Sequence, residues 1–252
     1  MRAALVGHTG FIGSNLAKQS EFDECYNSKN IGEIRGREFD LLVSAGVSAV
    51  KWWANQNPEE DRARIDGLLA SLAEVRAREL IVLSTVDVYP VNSGVDENFN
   101  CHSLPNHAYG MNRLHFENAM RELFDNTTIV RICGVFGPGL KKNVIYDLRH
   151  DNCLDMINPA SSFQYYNVSR LWTDLERLRS TDIRLINFVT EPIVTQEVIE
   201  RFFPGKVTGA NPAPEAHYDV RTIYGSQFDT AAPYLMGAEE VMADLAEFVK
   251  AT

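Results

Sequence analysis

The feature that most constrains the fold is a run of three glycines near the start of the chain. Ala3 to Val6 is an apolar segment typical of a buried strand, and Gly7-His-Thr-Gly10-Phe-Ile-Gly13 follows it directly. Residues 14–18 continue with helical character. A strand that passes through glycines at this spacing into a helix is the arrangement that holds the pyrophosphate of a dinucleotide. We therefore predict a dinucleotide site at Gly7, Thr9, Gly10, Phe11, Ile12 and Gly13.

The three glycines have separate tasks in such a turn. Gly7 permits the tight bend after the strand, and Gly10 lets the backbone approach a phosphate with no Cβ in the way. Gly13 lets the helix pack closely on the strand, and the helix N-terminus offers unpaired N–H groups to the anion. The alternative is an ordinary strand, turn and helix with incidental glycines. The position of the turn directly after a strand favours the phosphate site.

Apolar runs typical of strands alternate with helical segments along the chain. Most of these runs are rich in Val, Ile and Leu with little polar alternation, which is typical of parallel strands covered on both faces. Alternating strands and helices predict an α/β fold built on a doubly wound parallel sheet. The predicted strands cover residues 3–6, 41–44, 80–84, 128–133 and 185–189.

The best-defined predicted helix begins after Asn57. The sequence places Asn57 as the N-cap, Pro58 at the first helical position and Glu60 at the third. A stripe of apolar residues at helical spacing then predicts one buried face. The stripe consists of Ile65, Leu68, Leu69, Leu72 and Val75.

Length and composition narrow the class of protein. The chain has 252 residues, 45% hydrophobic and 23% charged, which fits a globular protein with a full core. Its net charge of −10 argues against nucleic acid or an anionic membrane as the main partner. The first strand leads directly into the glycine turn, so we expect no signal peptide and a cytoplasmic protein.

The cysteines and histidines indicate no metal site. Cys25, Cys101, Cys133 and Cys153 have no CxxC spacing, and the six histidines are scattered. We expect reduced thiols and no bound metal. Cys133 lies in an apolar run and is predicted to pack in the core.

The regular alternation of apolar strands and helices ends near Gly137. Gly137-Pro-Gly139 breaks the chain, and irregular polar stretches follow. We predict a dinucleotide-binding domain over residues 1–140. Residues 141–252 form a mixed segment, in which a small substrate lobe is interleaved with a late strand and helix of the first domain.

A second chemical signal lies at the end of the third predicted strand. Thr85 follows this strand, and Tyr109 and Arg113, one helical turn apart, open a later predicted helix. A phenol with a pKa near 10 is a poor base, but a neighbouring cation lowers that pKa. We therefore predict Tyr109 as acid/base, Thr85 as a partner of the reacting oxygen and Arg113 as the activating charge. Taken alone, Tyr109 and Arg113 also fit a solvated helix pair.

These motifs resemble the extended short-chain dehydrogenases/reductases, in the NAD-dependent epimerase/dehydratase family that modifies nucleotide sugars. The resemblance rests on the glycine turn, Ser84-Thr-Val-Asp-Val-Tyr-Pro90, Tyr109-Gly110 and Arg131-Ile-Cys-Gly-Val-Phe-Gly-Pro138. Residues 45–58 are similar to the reductase branch typified by GDP-fucose synthase. The resemblance covers most of residues 1–140 and the remainder more loosely.

The resemblance implies NAD or NADP as cofactor and hydride transfer between the nicotinamide and a sugar or nucleotide-sugar substrate. By position, Thr85 and Tyr109 match the catalytic Ser/Thr and Tyr, and Arg113 occupies the position of a lysine that binds the nicotinamide ribose. Arginine keeps the charge but is planar and cannot release a proton. Two interpretations stay open: an oxidoreductase or epimerase, and a non-catalytic NAD(P)-binding or redox-sensing protein that kept the fold.

The sequence favours NADP over NAD as the cofactor. No carboxylate follows Glu24 where one would bind the ribose 2′-hydroxyl of NAD, and Ser28 and Lys29 are suited to a 2′-phosphate. A polar surface turn explains them equally well. The resemblance also assigns Ala45 and Gly46 to the cofactor side.

Substrate contacts are assigned to a small set of polar residues. Lysines after the Gly-Pro turn lie where the family begins to bind its nucleotide, although adjacent lysines are also common in solvated loops. The resemblance further implies a homodimer through helices near residues 58–77 and 109–124. The candidates are Lys51, Asp87, Lys141, Lys142 and Arg221.

Overall fold

The computed structural model describes residues 1–230 and 233–251, where strands and helices alternate as predicted. The strands are β1 (Ala3–Val6), β2 (Glu24–Tyr26), β3 (Glu38–Ser44), β4 (Arg76–Thr85), β5 (Ser93–Val95), β6 (Thr127–Ile132), β7 (Gly134–Phe136), β8 (Ser162–Phe163), β9 (Tyr165–Asn167), β10 (Leu185–Phe188), β11 (Ile193–Val194) and β12 (Asp219–Val220). The helices are α1 (Phe11–Gln19), α2 (Lys51–Gln56), α3 (Pro58–Leu72), α4 (Ala108–Leu123), α5 (Val144–His150), α6 (Leu171–Arg179), α7 (Thr195–Phe202) and α8 (Ala238–Lys250).

Six strands form one parallel sheet in the order β10-β6-β4-β3-β1-β2, which confirms the predicted fold class. β2 and β3 lie on opposite sides of β1, so the direction of strand addition reverses there. Ligands of open α/β sheets bind outside the carboxyl ends of the strands at such a reversal. Val6 pairs with Tyr26 and with Ser44, and Ser44 pairs with Val82. The glycine turn, the loop after β3 and the end of β4 therefore share one edge.

β3 and β4 begin earlier than the sequence predicted. β3 starts at Glu38 and β4 at Arg76, each several residues before its apolar run. Glu38 and Arg76 pair across the two strands, with 3.2 Å between Arg76 Nη1 and Glu38 Oε1. Paired charges extend these strands into solvent, and a search for apolar runs does not detect such an extension.

α3 begins at Pro58 with Asn57 as its N-cap, as predicted, but the Asn57 side chain does not cap the helix. Asn57 makes no cap hydrogen bond to α3. Its Nδ2 donates instead to the carbonyl of Trp53, at 3.0 Å, near the end of α2. Asn57 is shared by two consecutive helices, and its amide serves the carbonyls of the first. The predicted apolar stripe does face the core, with Ile65 and Leu72 buried.

The chain divides into two compact units. The first comprises Met1–Pro90, Phe99–Arg131 and Ser169–Ile186, and the second comprises Val91–Asn98, Ile132–Val168 and Asn187–Thr252. Each has its own apolar core: strands β1, β3 and β4 supply much of the first, and α7 and α8 contribute to the second. The roles assigned to residues 1–140 and 141–252 stay predictions.

All four cysteines are free, and their burial differs. Cys133 is 7% exposed, as predicted for a core residue. Burial raises the pKa of its thiol to about 12, which makes it unreactive near neutral pH. Among the helices of the described ranges, none is both long enough and apolar enough to span a bilayer.

Candidate active site

The glycine turn after β1 is closed so tightly that two of its positions exclude a side chain. Gly7 has a φ of +88°, and a Cβ there would lie 2.3 Å from the carbonyl oxygen of Ala45. A Cβ on Gly13 would lie 2.1 Å from the carbonyl oxygen of Gly7. The turn thus packs against the loop after β3, where Gly46 likewise excludes a Cβ, 2.8 Å from Val6 Cγ1.

Gly10 differs from the other two glycines because its position has room. A Cβ there would meet only the Gly7 carbonyl oxygen, at 3.3 Å, and its φ of −74° suits any residue. Gly10 is the N-cap of α1 and offers no side chain to the helix amides. The first three N–H groups of α1, on Phe11, Ile12 and Gly13, have no intrahelical acceptor. With Thr9 exposed beside them, these bare amides fit a diphosphate.

The turn after β2 exposes Ser28 and Lys29 to solvent. Asn27 shapes it, because its Oδ1 accepts a hydrogen bond from the Lys29 N–H at 2.8 Å. The preceding carboxylate, Glu24, is bound by Arg2 and by the Tyr26 hydroxyl. Glu24 is therefore already engaged, while Ser28 and Lys29 face solvent.

Thr85 and Tyr109 meet at the carboxyl edge of the sheet. Thr85 ends β4, and its Oγ1 accepts a hydrogen bond from the Asp87 N–H at 3.1 Å. The Thr85 hydroxyl lies near enough to the phenol of Tyr109 to act on its pKa. Tyr109 lies in the first turn of α4 and is only 6% exposed. The structure thus brings together the two groups predicted to handle the substrate oxygen.

The pKa of Tyr109 is raised, contrary to the predicted lowering. Burial is the main cause, and the charge of Asp87 adds to it. Arg113, Lys51 and the Thr85 hydroxyl act in the opposite direction but do not overcome burial. The sequence prediction considered the neighbouring cation but not desolvation of the phenolate. Tyr109 is therefore protonated near neutral pH.

Arg113 is held by a partner that the sequence analysis did not identify. Its Nη2 donates to Asp61 Oδ1 at 2.9 Å, its Nη1 donates to Asp61 Oδ2, and both side chains are almost fully buried. Nη2 also donates to the carbonyl of Ser48. The guanidinium carbon lies 3.9 Å from the ring centre of Tyr109, over its face. Arg113 thus braces Tyr109, with its charge compensated by Asp61.

Lys51 and Asp87, both predicted as substrate contacts, form an ion pair with each other. Lys51 Nζ lies 2.7 Å from Asp87 Oδ1, and both side chains are half-buried. The pair acts electrostatically on Tyr109 and on His107, so it belongs to the same cluster. The other three substrate candidates belong to the second unit, where Lys141 and Lys142 are exposed and Arg221 pairs with Asp219 at 2.7 Å.

The segment before Tyr109 holds contacts that the sequence analysis missed. Asn106 Nδ2 donates to the carbonyls of Asp87 and Val88, at 3.0 and 3.1 Å. A Cβ on Gly110 would lie 2.2 Å from the same Asp87 carbonyl oxygen, so this glycine lets α4 approach the turn after β4. His107 is the N-cap of α4. The polar residues just before the predicted helix are the signal that could have revealed this cap.

A sequence profile described as the NAD dependent epimerase/dehydratase family matches residues 27–179, which include Thr85, Tyr109 and Arg113. The matched segment begins after the glycine turn. Comparison of the sequence with curated proteins finds no match.

Solved structures with the same fold cover nearly the whole chain. A UDP-N-acetylglucosamine 4-epimerase from Methanobrevibacter ruminantium, in complex with UDP-N-acetylmuramic acid, superposes with a TM-score of 0.76 at 14% identity, covering 99% of this chain and 97% of that one. A dTDP-4-dehydrorhamnose reductase from Bacillus anthracis, in complex with NADP, gives 0.75 at 15% identity, covering 100% and 98%. A UDP-glucuronic acid 4-epimerase from Bacillus cereus, in complex with NAD, gives 0.72 at 16% identity, covering 100% and 95%. At these identities the similarity establishes the fold.

Proposed function

The chain belongs to the NAD-dependent epimerase/dehydratase family, and we propose that it is an NAD(P)-dependent oxidoreductase or epimerase acting on a nucleotide sugar. The observation that carries the proposal is the proximity of the Thr85 hydroxyl, at the end of β4, to the buried phenol of Tyr109, in the first turn of α4. The glycine turn lies on this same edge, at the reversal of strand order. A hydroxyl pair beside a dinucleotide site is suited to proton exchange during hydride transfer.

The proposed roles of the site residues follow from their protonation states. A bound nicotinamide would supply or accept the hydride at the substrate carbon. Tyr109, protonated near neutral pH, gives its phenolic proton to the oxygen of a carbonyl being reduced. The phenolate left behind is stabilised by the Thr85 hydroxyl and by the Arg113 guanidinium over its ring. A raised pKa suits an acid better than a base, so this arrangement favours carbonyl reduction.

NADP is the proposed preferred cofactor. Glu24, the nearest carboxylate before the turn, is already engaged by Arg2 and Tyr26 and so is poorly placed to select a ribose 2′-hydroxyl. The exposed Ser28 and Lys29 offer a hydroxyl and a cation to a 2′-phosphate. The bare amides of α1 would hold the pyrophosphate.

The substrate, the assembly and the compartment are proposed from separate features of the chain. The Lys51–Asp87 pair offers donors and acceptors to sugar hydroxyls beside Tyr109. Lys141, Lys142 and Arg221 are cations that suit a diphosphate. We propose a homodimer through α3 and α4, the helices in which the sequence placed it. Four free cysteines suit the reducing cytoplasm.

Replacement of Tyr109 tests the proposed function directly. Tyr109→Phe removes the transferable proton and keeps the ring under Arg113, so we expect turnover of a nucleotide sugar to fall by about 10²–10⁴-fold. NADPH affinity, measured by fluorescence titration, should change little because the phenol serves mainly the transition state. The control is Tyr146→Phe in the second unit, which should leave turnover unchanged. Normal turnover by Tyr109→Phe contradicts the proposed role.

A second candidate function is favoured by the compensated charge of Arg113. Because Asp61 holds its guanidinium, Arg113 resembles a structural brace more than the mobile cation of an active enzyme. A non-catalytic NAD(P)-binding or redox-sensing protein fits this observation. Tight binding of both cofactor forms, with no turnover across UDP-, dTDP- and GDP-linked sugars, would support it.

A further inference from the structure

The two ring nitrogens of His107 differ in their contacts, because Nδ1 caps a helix and Nε2 does not. Its Nδ1 accepts a hydrogen bond from the Gly110 N–H at 3.0 Å, which caps the N-terminus of α4. Its backbone N–H donates to Asn106 Oδ1 at 2.7 Å, so the backbone is held as well. Within the described part of the chain, the structure shows no hydrogen-bond partner for Nε2.

The cap fixes which nitrogen carries the proton. A nitrogen that accepts a hydrogen bond has no proton of its own, so neutral His107 must carry its proton on Nε2. Burial lowers the pKa of His107, and the charge of Lys51 lowers it further. The ring is therefore neutral near pH 7 and presents a single donor, the Nε2–H group.

The residues around the His107 ring are those that form the proposed reaction site. The ring centre of His107 lies 6.1 Å from that of Tyr109. Lys51 and Asp87 face it from α2 and from the turn after β4, and Arg113 faces it from α4. A neutral N–H donor next to a carboxylate and an ammonium group suits an uncharged polyol, which offers several hydroxyl or carbonyl oxygens.

We propose that His107 binds the substrate, donating a hydrogen bond from Nε2–H to a sugar oxygen next to the one that Tyr109 protonates. This assignment rests on the proposed function. It makes His107 a specificity-determining residue in addition to a helix cap. A site built to hydrogen-bond a substrate oxygen discriminates against sugars that lack it, because the partly buried Nε2–H donor would then have no substrate acceptor.

Two substitutions separate substrate binding from capping. His107→Asn keeps an acceptor that can cap the Gly110 N–H but removes the Nε2–H donor, whereas His107→Ala removes both. We expect His107→Asn to keep the thermal stability and NADPH affinity of the wild type and to raise KM for the best-used UDP- or dTDP-linked sugar about 10-fold or more. His107→Ala should show the same KM defect together with lower stability.

Histidine NMR gives a readout that needs no turnover. On ¹⁵N-histidine-labelled protein with NADP⁺ bound, addition of UDP-glucose or dTDP-glucose should shift the Nε2 signal that is absent from His107→Asn. The His102 signal is the control, because this exposed ring lies outside the proposed site.

Each outcome separates the two proposals. If the wild type binds and turns over a nucleotide sugar, and His107→Asn does so with unchanged KM and an unmoved Nε2 signal, the assignment of His107 is overturned and the proposed function stands. If the wild type neither binds nor turns over any member of the UDP-, dTDP- and GDP-linked panel, the proposed function fails, and the His107 assignment fails with it.

Discussion

Arg113 and Asp61 form a buried ion pair beneath the candidate active-site tyrosine. Arg113 is 4% exposed and Asp61 2% exposed, so removal of one leaves the other charged and desolvated. We expect Arg113→Met to lower the free energy of unfolding by about 3–5 kcal/mol, measured by urea denaturation. Arg62→Met is the control, because Arg62 pairs with Asp66 on the exposed face of α3 and should cost about 0.3–0.5 kcal/mol.

A double variant shows whether this cost comes from the orphaned charge. Arg113→Met combined with Asp61→Leu removes both charges and keeps similar volume, so it should be more stable than either single variant. Asn112 then loses one acceptor, since its Nδ2 donates to Asp61 at 2.8 Å, but it keeps the Pro58 carbonyl. A double variant that is less stable than both single variants would show that the cost of Arg113→Met does not come from the orphaned charge of Asp61.

The lowered pKa of His107 predicts that the stability of the folded chain decreases as the pH falls. Burial lowers its pKa below the ordinary value of 6.5, so the unfolded chain binds the proton more readily than the folded chain does. This contribution to stability is complete above the unfolded pKa and is lost as the pH falls through the folded pKa. Protonation also places an N–H on Nδ1, which turns the cap acceptor into a donor facing Gly110.

The pH prediction is tested by substitution. We expect wild-type stability to fall more between about pH 7.5 and about pH 5.5 than that of His107→Asn, measured by urea denaturation at each pH. Lys51, Asp87, Tyr109 and Arg113 are the charged or titratable neighbours of the ring and remain in both proteins. Equal pH slopes would mean that His107 does not titrate as described.

At the scale of elements, the contact of α4 with the turn after β4 positions the proposed acid. Gly110 makes this contact possible, because a Cβ there would lie 2.2 Å from the Asp87 carbonyl oxygen and 2.3 Å from Asn106 Nδ2. Gly110→Ala should lower stability by about 1–3 kcal/mol and reduce turnover, because α4 must move away from Thr85. Calorimetry and steady-state kinetics measure the two effects.

Gly67 in α3 provides a matched control for Gly110. A Cβ on Gly67 meets nothing within 4 Å, and the residue lies in a helix like Gly110. Gly67→Ala should therefore raise stability by about 0.5–1 kcal/mol and leave turnover unchanged. If Gly110→Ala behaves like Gly67→Ala, close packing of α4 on the turn is not required.

The elements that could be predicted from the sequence are those determined by residues close together in the chain. The turn from β1 into α1 was found because glycines, strand and helix follow one another within thirteen residues of sequence. Thr85 was found because it follows a strand whose carboxyl end lies at the ligand-binding edge of the sheet, and Tyr109 because it precedes Arg113 by one helical turn. Asp61 was missed, since it lies 52 residues from Arg113 and on another helix, where an acidic residue in the first turn carries no signal of its own. The raised pKa of Tyr109 was missed as well, because burial of its phenol depends on residues that are distant in the sequence.

At the scale of the whole molecule, the interleaving of the two units also lies beyond local pattern. Residues 169–186 return to the first unit, and residues 91–98 leave it early. Glu97 shows why the early segment belongs to the second unit. Its carboxylate accepts from the Asn187 N–H at 2.7 Å, the Thr222 hydroxyl at 2.6 Å and the Ile223 N–H at 2.9 Å. These partners lie 90 or more residues away, so the sequence near Glu97 does not reveal them.

Binding of the cofactor should raise the stability of the whole chain. Substitution of Gly10 tests this prediction without disrupting the fold. NADP⁺ at about 100 times its Kd should stabilise the wild type by about 2.7 kcal/mol and raise Tm by about 5–10 °C in scanning fluorimetry. In Gly10→Ala the φ of −74° is kept and the new Cβ meets only the Gly7 carbonyl oxygen at 3.3 Å, so the unliganded protein should lose less than about 1 kcal/mol.

That methyl group would nevertheless lie where the backbone must approach a phosphate, so the NADP⁺-induced rise in Tm should largely disappear in Gly10→Ala. Gly32→Ala, where a Cβ meets nothing within 4 Å, should keep the full rise and controls for the substitution itself. A Gly10→Ala protein that responds to NADP⁺ as the wild type does would mean that the pyrophosphate does not bind at the α1 amides. The proposed hydride chemistry beside Thr85 and Tyr109 would then lack its cofactor site.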